Sequence, residues 1–233
     1  RRSKREWFFP SFLARVEPLT FKSGSFLSSP GVAPLNTESV TSGFRPAART
    51  IFNTPVVTPC LRVGSKLFLR MLGWRFQGSI PGQMQKAVVI AAPHTSNWDL
   101  PYSLMAAFGL GLQLHWLGKA SLFRFPFKGL MRWLGGIGVD RSRPGQLVSA
   151  AVNCFANTQR PLFLMIPPEG TRSKVREWKT GFYYIAQGAQ VPIILAYMDH
   201  AKKEAGLGPC LDVTGDVDVD MATVKAFYAP IQG

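Results

Sequence analysis

The sequence predicts one α/β domain, with a partly parallel central sheet flanked by helices. Three apolar runs suggest it: KAVVIAA (86–92), PLFLMIP (161–167) and VPIILAY (191–197), each of strand length and too short for a buried helix. Stretches with helical spacing fall between them, and strands alternating with helices favour parallel pairing. A chain of 233 residues with 46% hydrophobic composition is also large enough to bury one core.

Residues 1–50 are rich in Ser, Pro, Arg and Thr without a sustained period, which predicts a basic, poorly ordered extension ahead of a domain spanning 51–233. The opening RRSKREWFF carries no initiator methionine, so a processed or incomplete N-terminus is expected. In CLRVGSKLFLRMLGW, Leu61, Leu67, Phe68, Met71 and Leu72 recur at near-helical spacing beside Arg62, Lys66 and Arg70, giving a helix with an apolar and a basic side. This fits an ordinary surface helix or one lying on a membrane. The first buried strand, 86–92, is ended by Pro93. A helix follows over 99–109, then a strand or short segment near 113–117.

In SLFRFPFKGLMRWLGG (121–136), Arg124, Lys128 and Arg132 recur every fourth residue against Phe123, Phe127, Leu130, Met131 and Leu134, in a helix expected to begin at Pro126. GGIGVDRSR (135–143) reads as a glycine-rich loop. Helices are expected over 145–158 and 180–189, on either side of the second strand. GDVDVD (215–220) lacks a calcium-loop pattern and reads as a solvated edge rather than a metal site.

Charge narrows the function. With 27 Lys and Arg against 13 Asp and Glu, the formal net charge is +14, which draws the chain to polyanions. The aromatic content and apolar balance favour an anionic membrane surface, and no nucleic-acid motif is present. No run reaches the roughly 18–20 apolar residues of a spanning helix; SLMAAFGLGLQLHWLG (103–118) is interrupted by Gln113 and His115. Cys60, Cys154 and Cys210 share no metal-ligand spacing and suit a reducing compartment.

Three segments that follow apolar runs carry chemistry. In AAPHTSNWDL, His94 stands five places before Asp99, a spacing that lets a carboxylate orient an imidazole acting as base near neutral pH, or simply marks a helix-capping turn. In PPEGTRS (167–173), Gly170 permits close approach of a ligand, Thr171 and Ser173 offer hydroxyls, and Arg172 offers a fork suited to phosphate. Glu169 suits binding of hydroxyls or support of Arg172. The third segment, GGIGVDRSR (135–143), adds Arg141 and Arg143. His94 and Glu169 both sit just past strand ends, where ligands gather in such sheets.

In order and spacing these segments resemble the four motifs of the glycerolphosphate acyltransferase family, typified by 1-acyl-glycerol-3-phosphate acyltransferases. His94, Ser96 and Asp99 match the first motif, GGIGVDR the second, PPEGTRS the third and VPII (191–194) the fourth; GKASLFRFP and WKTGFYYIA resemble family framework. The resemblance covers roughly residues 57–230. It departs from the family pattern at Pro93, at Pro167 and after Pro192, which bears on the acceptor and leaves the His–Asp pair intact.

The resemblance implies a glycerolphosphate acyltransferase-like fold. It implies transfer of a fatty acyl group from a thioester, on coenzyme A or acyl-carrier protein, to the hydroxyl of a lysophospholipid. His94 is then the general base and Asp99 its partner. Arg141, Glu169, Gly170, Thr171 and Arg172 hold the acceptor phosphate, and Pro192 shapes the acyl-pocket wall. No metal and no cofactor beyond the co-substrate is implied. The expected location is the cytoplasmic face of the inner or plasma membrane. Alternatives are a hydrolase of the same thioester and a non-catalytic basic lipid-binding protein.

Overall fold

The computed structural model describes residues 44–80, 82, 84–92, 99–140, 144–170 and 177–231, with the main chain alone at Asp99. In chain order the elements are α1 (Val57–Met71), β1 (Arg75–Gln77), β2 (Lys86–Ala92), α2 (Asp99–Leu110), β3 (Leu114–Lys119), a 3-10 turn (Ala120–Phe123), α3 (Lys128–Trp133) and β4 (Gly136–Val139). They continue with α4 (Pro144–Asn157), β5 (Leu162–Ile166), α5 (Gly181–Ala189), β6 (Ile193–Asp199), β7 (Glu204–Leu211) and α6 (Val217–Tyr228).

The strands form one seven-stranded sheet in the order β1-β7-β6-β2-β5-β3-β4. The block from β6 to β4 is parallel throughout. β7 runs antiparallel to β6, and β1 is parallel to β7, so these two form an edge of opposite sense. The α/β expectation holds, with a sheet that is mostly parallel.

β2 shows why the central runs are apolar at every position. Successive side chains on a strand point to opposite faces. Val88, Ile90 and Ala92 accordingly pack with Phe155, Phe182, Tyr183 and Val224 from α4, α5 and α6. Ala87 and Val89 pack instead with Ala107 and Phe108 of α2 and with Phe52. A strand covered by helices on both faces has no solvent side to alternate toward.

Four features differ from the sequence expectation. Of the extension expected over 1–50, residues 1–43 lie outside the described residues; over 44–50, Phe44 and Thr50 are buried against the domain. GGIGVDRSR is not a loop at its start: Gly136–Val139 is edge strand β4, paired with Trp116–Lys119 of β3. Its glycines serve packing. A Cβ at Gly118, Gly136 or Gly138 would lie 2.7–2.9 Å from its nearest neighbour, with the Phe123 ring in the way at all three. The helix expected from Pro126 begins instead at Lys128. GDVDVD is a helix start rather than a solvated edge: Asp216 accepts from the main-chain N–H groups of Asp218 and Val219, and buried Asp220 accepts from Thr214 Oγ1 at 3.0 Å. An N-cap of this kind satisfies donors that a period-two reading leaves out.

α1 keeps the predicted two-sided character. Only Ser65 and Leu69 are buried on it, while Val63, Leu67 and Met71 stand out at i, i+4 and i+8, flanked by Arg62, Lys66 and Arg70. Phe125, 95% exposed, and Phe127 form a second apolar tip beside α3. Among the described residues no helix is long and apolar enough to cross a membrane.

Candidate active site

Parallel pairing brings the strands that precede the three candidate segments to one edge of the sheet. β2, β4 and β5 all belong to the parallel block, so their carboxyl ends lie on the same edge of the sheet. β2 and β5 are immediate neighbours, with Ile90 opposite Ile166. From that edge the chain runs on toward His94, Asp140 and Glu169 respectively, in the crevice position where open α/β sheets bind ligands.

His94, Arg141, Thr171 and Arg172 lie outside the described residues. Asp99 is the first residue of α2, and its main chain starts that helix. Glu169 and Gly170 are described fully. The chain leaves β5 through Pro167 and Pro168, and Gly170 N–H donates to the Pro167 carbonyl at 3.1 Å, closing a turn over Glu169. Gly170 has φ +64°, a left-handed conformation that glycine adopts without strain. The Pro168 carbonyl accepts from Lys179 N–H at 2.9 Å, and the Lys179 side chain lies against Gly170.

Glu169 is 7% exposed, which is rare for a carboxylate. Its charge acts on Tyr228, the last residue of α6. Burial is the main force pushing the Tyr228 phenol far above its ordinary range, and the Glu169 charge pushes the same way. The Tyr228 hydroxyl lies 2.9 Å from the Ile90 carbonyl and 2.7 Å from that of Ala196, so its single proton is shared between β2 and β6. Trp178 closes edge-on over the ring at 5.3 Å.

Pro192 is not brought to this edge. Its carbonyl accepts from Val88 N–H at 3.0 Å, which sets it at the amino end of β6, and Ala92 at the end of β2 is four residue steps beyond Val88. At about 3.3 Å per residue that is roughly 13 Å, so Pro192 enters a strand here and forms no wall of the crevice.

The carboxyl edge also holds residues the motif reading passed over. Lys119 ends β3, between β5 and β4, and Lys179 approaches from beyond β5; both are exposed. At the end of β6, His200 stands edge-on to Trp74 (5.2 Å) and Tyr102 (6.3 Å), the latter in the first turn of α2. Asp199 is buried there and pairs with Lys202 at 3.0 Å. Lys119 and Lys179 fall in the framework segments GKASLFRFP and WKTGFYYIA with no role read for either, and nothing in MDH marks Asp199 or His200; only the strand order places them at one edge. A small apolar cavity of about 40 Å³ lies between α2 and the sheet, lined by Ala106, Ala107, Met165 and Leu207 among others. It is far below the ~300–1,000 Å³ of ordinary ligand pockets.

Comparison with known proteins agrees with this geometry. The family model described as Acyltransferase matches residues 74–198, which run from the start of β1 nearly to the end of β6. The 1-acyl-sn-glycerol-3-phosphate acyltransferase of Salmonella typhimurium is 32% identical over 126 residues, covering 51% of this chain and 49% of that one. The Escherichia coli protein of the same description is 38% identical over 113 residues, covering 46% and 44%. The chain thus spans about half the length of the curated relatives it matches. Among solved structures, the 1-acyl-sn-glycerophosphate (LPA) acyltransferase PlsC of Thermotoga maritima superimposes with a TM-score of 0.54 at 19% identity, over 75% of this chain and 79% of that one, a likeness of fold. With the matched segment containing the strands that carry all three candidate loops, the chain belongs to the Acyltransferase family.

Proposed function

We propose that the protein transfers a fatty acyl group from an acyl thioester, acyl-CoA or acyl-carrier protein, to the hydroxyl of a lysophospholipid such as 1-acyl-glycerol-3-phosphate. One observation carries this reading: β2, β4 and β5, the strands that precede the His94–Asp99, Arg141 and Glu169–Arg172 segments, end at one edge of the parallel block, inside the family-matched segment.

Neutral His94 takes the proton of the acceptor hydroxyl as that oxygen attacks the thioester carbonyl carbon. Asp99 orients the ring and stabilises its cation. The tetrahedral intermediate collapses, the C–S bond breaks, and the imidazolium returns its proton to the departing thiolate. This sequence balances without a cofactor beyond the thioester. Arg141 and Arg172 hold the acceptor phosphate, with Gly170 and Thr171 opening the approach. Glu169 is the supporting carboxylate behind them, and Lys119 and Lys179 add positive charge at the same edge.

The acceptor is a lipid, so the enzyme meets a bilayer. The exposed stripe of α1, beside Arg62, Lys66 and Arg70, and the Phe125–Phe127 tip, beside Arg124 and Lys128, suit the cytoplasmic face of an anionic membrane. Each basic residue near such a leaflet contributes about 1 kcal/mol.

Thiol release from an acyl thioester, measured with and without a panel of lysolipids, tests the reading. Release that needs a lysolipid and falls by about 10²- to 10⁴-fold in His94→Ala is the expected result. Release that proceeds equally without any lysolipid would establish a thioester hydrolase instead. No release by folded protein would leave a lipid-binding role.

A further inference from the structure

At the amino edge of the sheet, opposite the crevice, lies a cavity of about 690 Å³ that the acyl-transfer reading does not use. Its walls come from the segment after Phe44, the start of β3, the end of α4 and the first residue of β5. The volume falls within the range of small-molecule sites.

Among the described residues that line it are three arginines, Arg45, Arg132 and Arg160, and no carboxylate. Three guanidinium groups sharing one concavity repel each other, and among the described residues no side chain on these walls neutralises them. The C-terminal end of α4 borders the cavity and carries about half a negative charge from its macrodipole, which offsets part of one guanidinium. Arg160 is fixed in place: its Nη1 donates to the Ala48 carbonyl at 3.2 Å, and Asn53 Nδ2 donates to the same carbonyl at 3.1 Å.

His115, on β3, makes the cavity more than a basic patch. It is 6% exposed and lines the space, yet neither ring nitrogen makes a well-formed hydrogen bond. Buried polar atoms without partners are uncommon and call for a ligand or another explanation. The carbonyls of Gln113 and Ala47 lie near enough to favour its protonated form, against the stronger effect of burial. In either state the imidazole has an N–H to give.

We propose that this cavity is a second anion site, built to take a phosphate group, and that it is separate from the acyl-transfer crevice. Planar guanidinium forks pair with the several oxygens of a phosphate, and a buried N–H supplies a further donor. The size admits a soluble phosphoester or the headgroup of an anionic lipid. The five-residue strand β5 separates its two ends by about 13 Å, so a ligand here leaves the crevice open. The assignment does not depend on the acyl-transfer reading.

Cys154 gives a local reporter. It lines the cavity, and burial pushes its thiol up to about 11, so alkylation is slow and sensitive to access. N-ethylmaleimide labelling of the full chain at mildly alkaline pH, read by peptide mass spectrometry, follows occupancy at this residue. The probes are inorganic pyrophosphate, glycerol 3-phosphate, and phosphatidylcholine vesicles with or without phosphatidic acid. Protection of Cys154 by either soluble probe identifies a soluble phosphoester ligand; protection only by phosphatidic acid vesicles identifies a lipid headgroup. In either case Arg45→Gln and Arg160→Gln should each weaken the protecting interaction about tenfold. Melting temperature and lysolipid-dependent thiol release should stay unchanged. Equal labelling with and without every probe, or protection that survives both substitutions, overturns the proposal.

Discussion

The side chain of Lys179 lies across Gly170, so close that a Cβ at position 170 would stand 2.8 Å from its Cδ and 3.2 Å from its Nζ. The glycine therefore does two things: it turns the chain with φ +64°, and it leaves room for an amine beside the buried Glu169. Gly170→Ala should cost about 1–2 kcal/mol for the left-handed backbone, read by chemical denaturation. It should also displace Lys179, raising the acceptor KM more than it lowers kcat.

Tyr228 ties the end of α6 to two strands through one hydroxyl. Tyr228→Phe keeps the ring packing on Trp178 and Phe227 but leaves two buried carbonyls without that donor. Loss of about 1–3 kcal/mol of stability is expected. Hydrogen exchange should quicken at the carboxyl ends of β2 and β6 before it does elsewhere.

His115 predicts an acid limb of stability. Burial holds its folded-state pKa below the ordinary imidazole range, with the Gln113 and Ala47 carbonyls opposing. As pH falls below the unfolded value, the unfolded chain binds a proton that the folded chain does not. Stability then drops, by at most about 1.4 kcal/mol per pH unit, until the folded pKa is reached. Arg45, Arg132 and Arg160 line the same cavity and remain charged throughout. Denaturation midpoints between neutral and mildly acidic pH should fall less in His115→Gln than in wild type.

Under the proposed membrane reading, the Phe125–Phe127 tip supplies the apolar part of the binding. Burying one Phe is worth about 1.5–3 kcal/mol, so the double change Phe125→Ser and Phe127→Ser should cut partitioning onto anionic vesicles by tenfold or more. Binding by wild type should partly survive high salt, since apolar burial is unscreened while the contribution of Arg124 and Lys128 is screened. Co-sedimentation across a salt series checks both statements.

How far the sequence could be read depended on where local pattern and tertiary demand agree. The run at 86–92 is strand at every residue, and those at 161–167 and 191–197 are strand over Leu162–Ile166 and from Ile193 onward, because strands buried on both faces need unbroken apolar residues. β7 was illegible because EAGLGPCL contains two glycines and a proline. Those glycines are required by neighbours: a Cβ at Gly206 would meet the Gln77 carbonyl at 2.6 Å, and one at Gly208 would run into the Phe227 ring. β1 is three residues long and carries no period of its own. At the candidate site, Glu169 and Gly170 could be named from motif order, whereas Lys179, Tyr228 and the His200–Trp74 contact depend on strand order alone. Pro192 shows the opposite case, a motif residue whose neighbours in space are at the far end of the sheet.

The three glycines beneath Phe123 have a mechanical consequence. They let a bulky ring lie flat across β3 and β4, which anchors the turn leading to Phe125 directly to the strands that end in Lys119 and Val139. The tip is thus an outrigger on a rigid mount rather than a loose tether. Under the proposed membrane reading, the depth to which the tip sinks and the height of the crevice mouth above the lipid become a single variable, set by the length of one short turn.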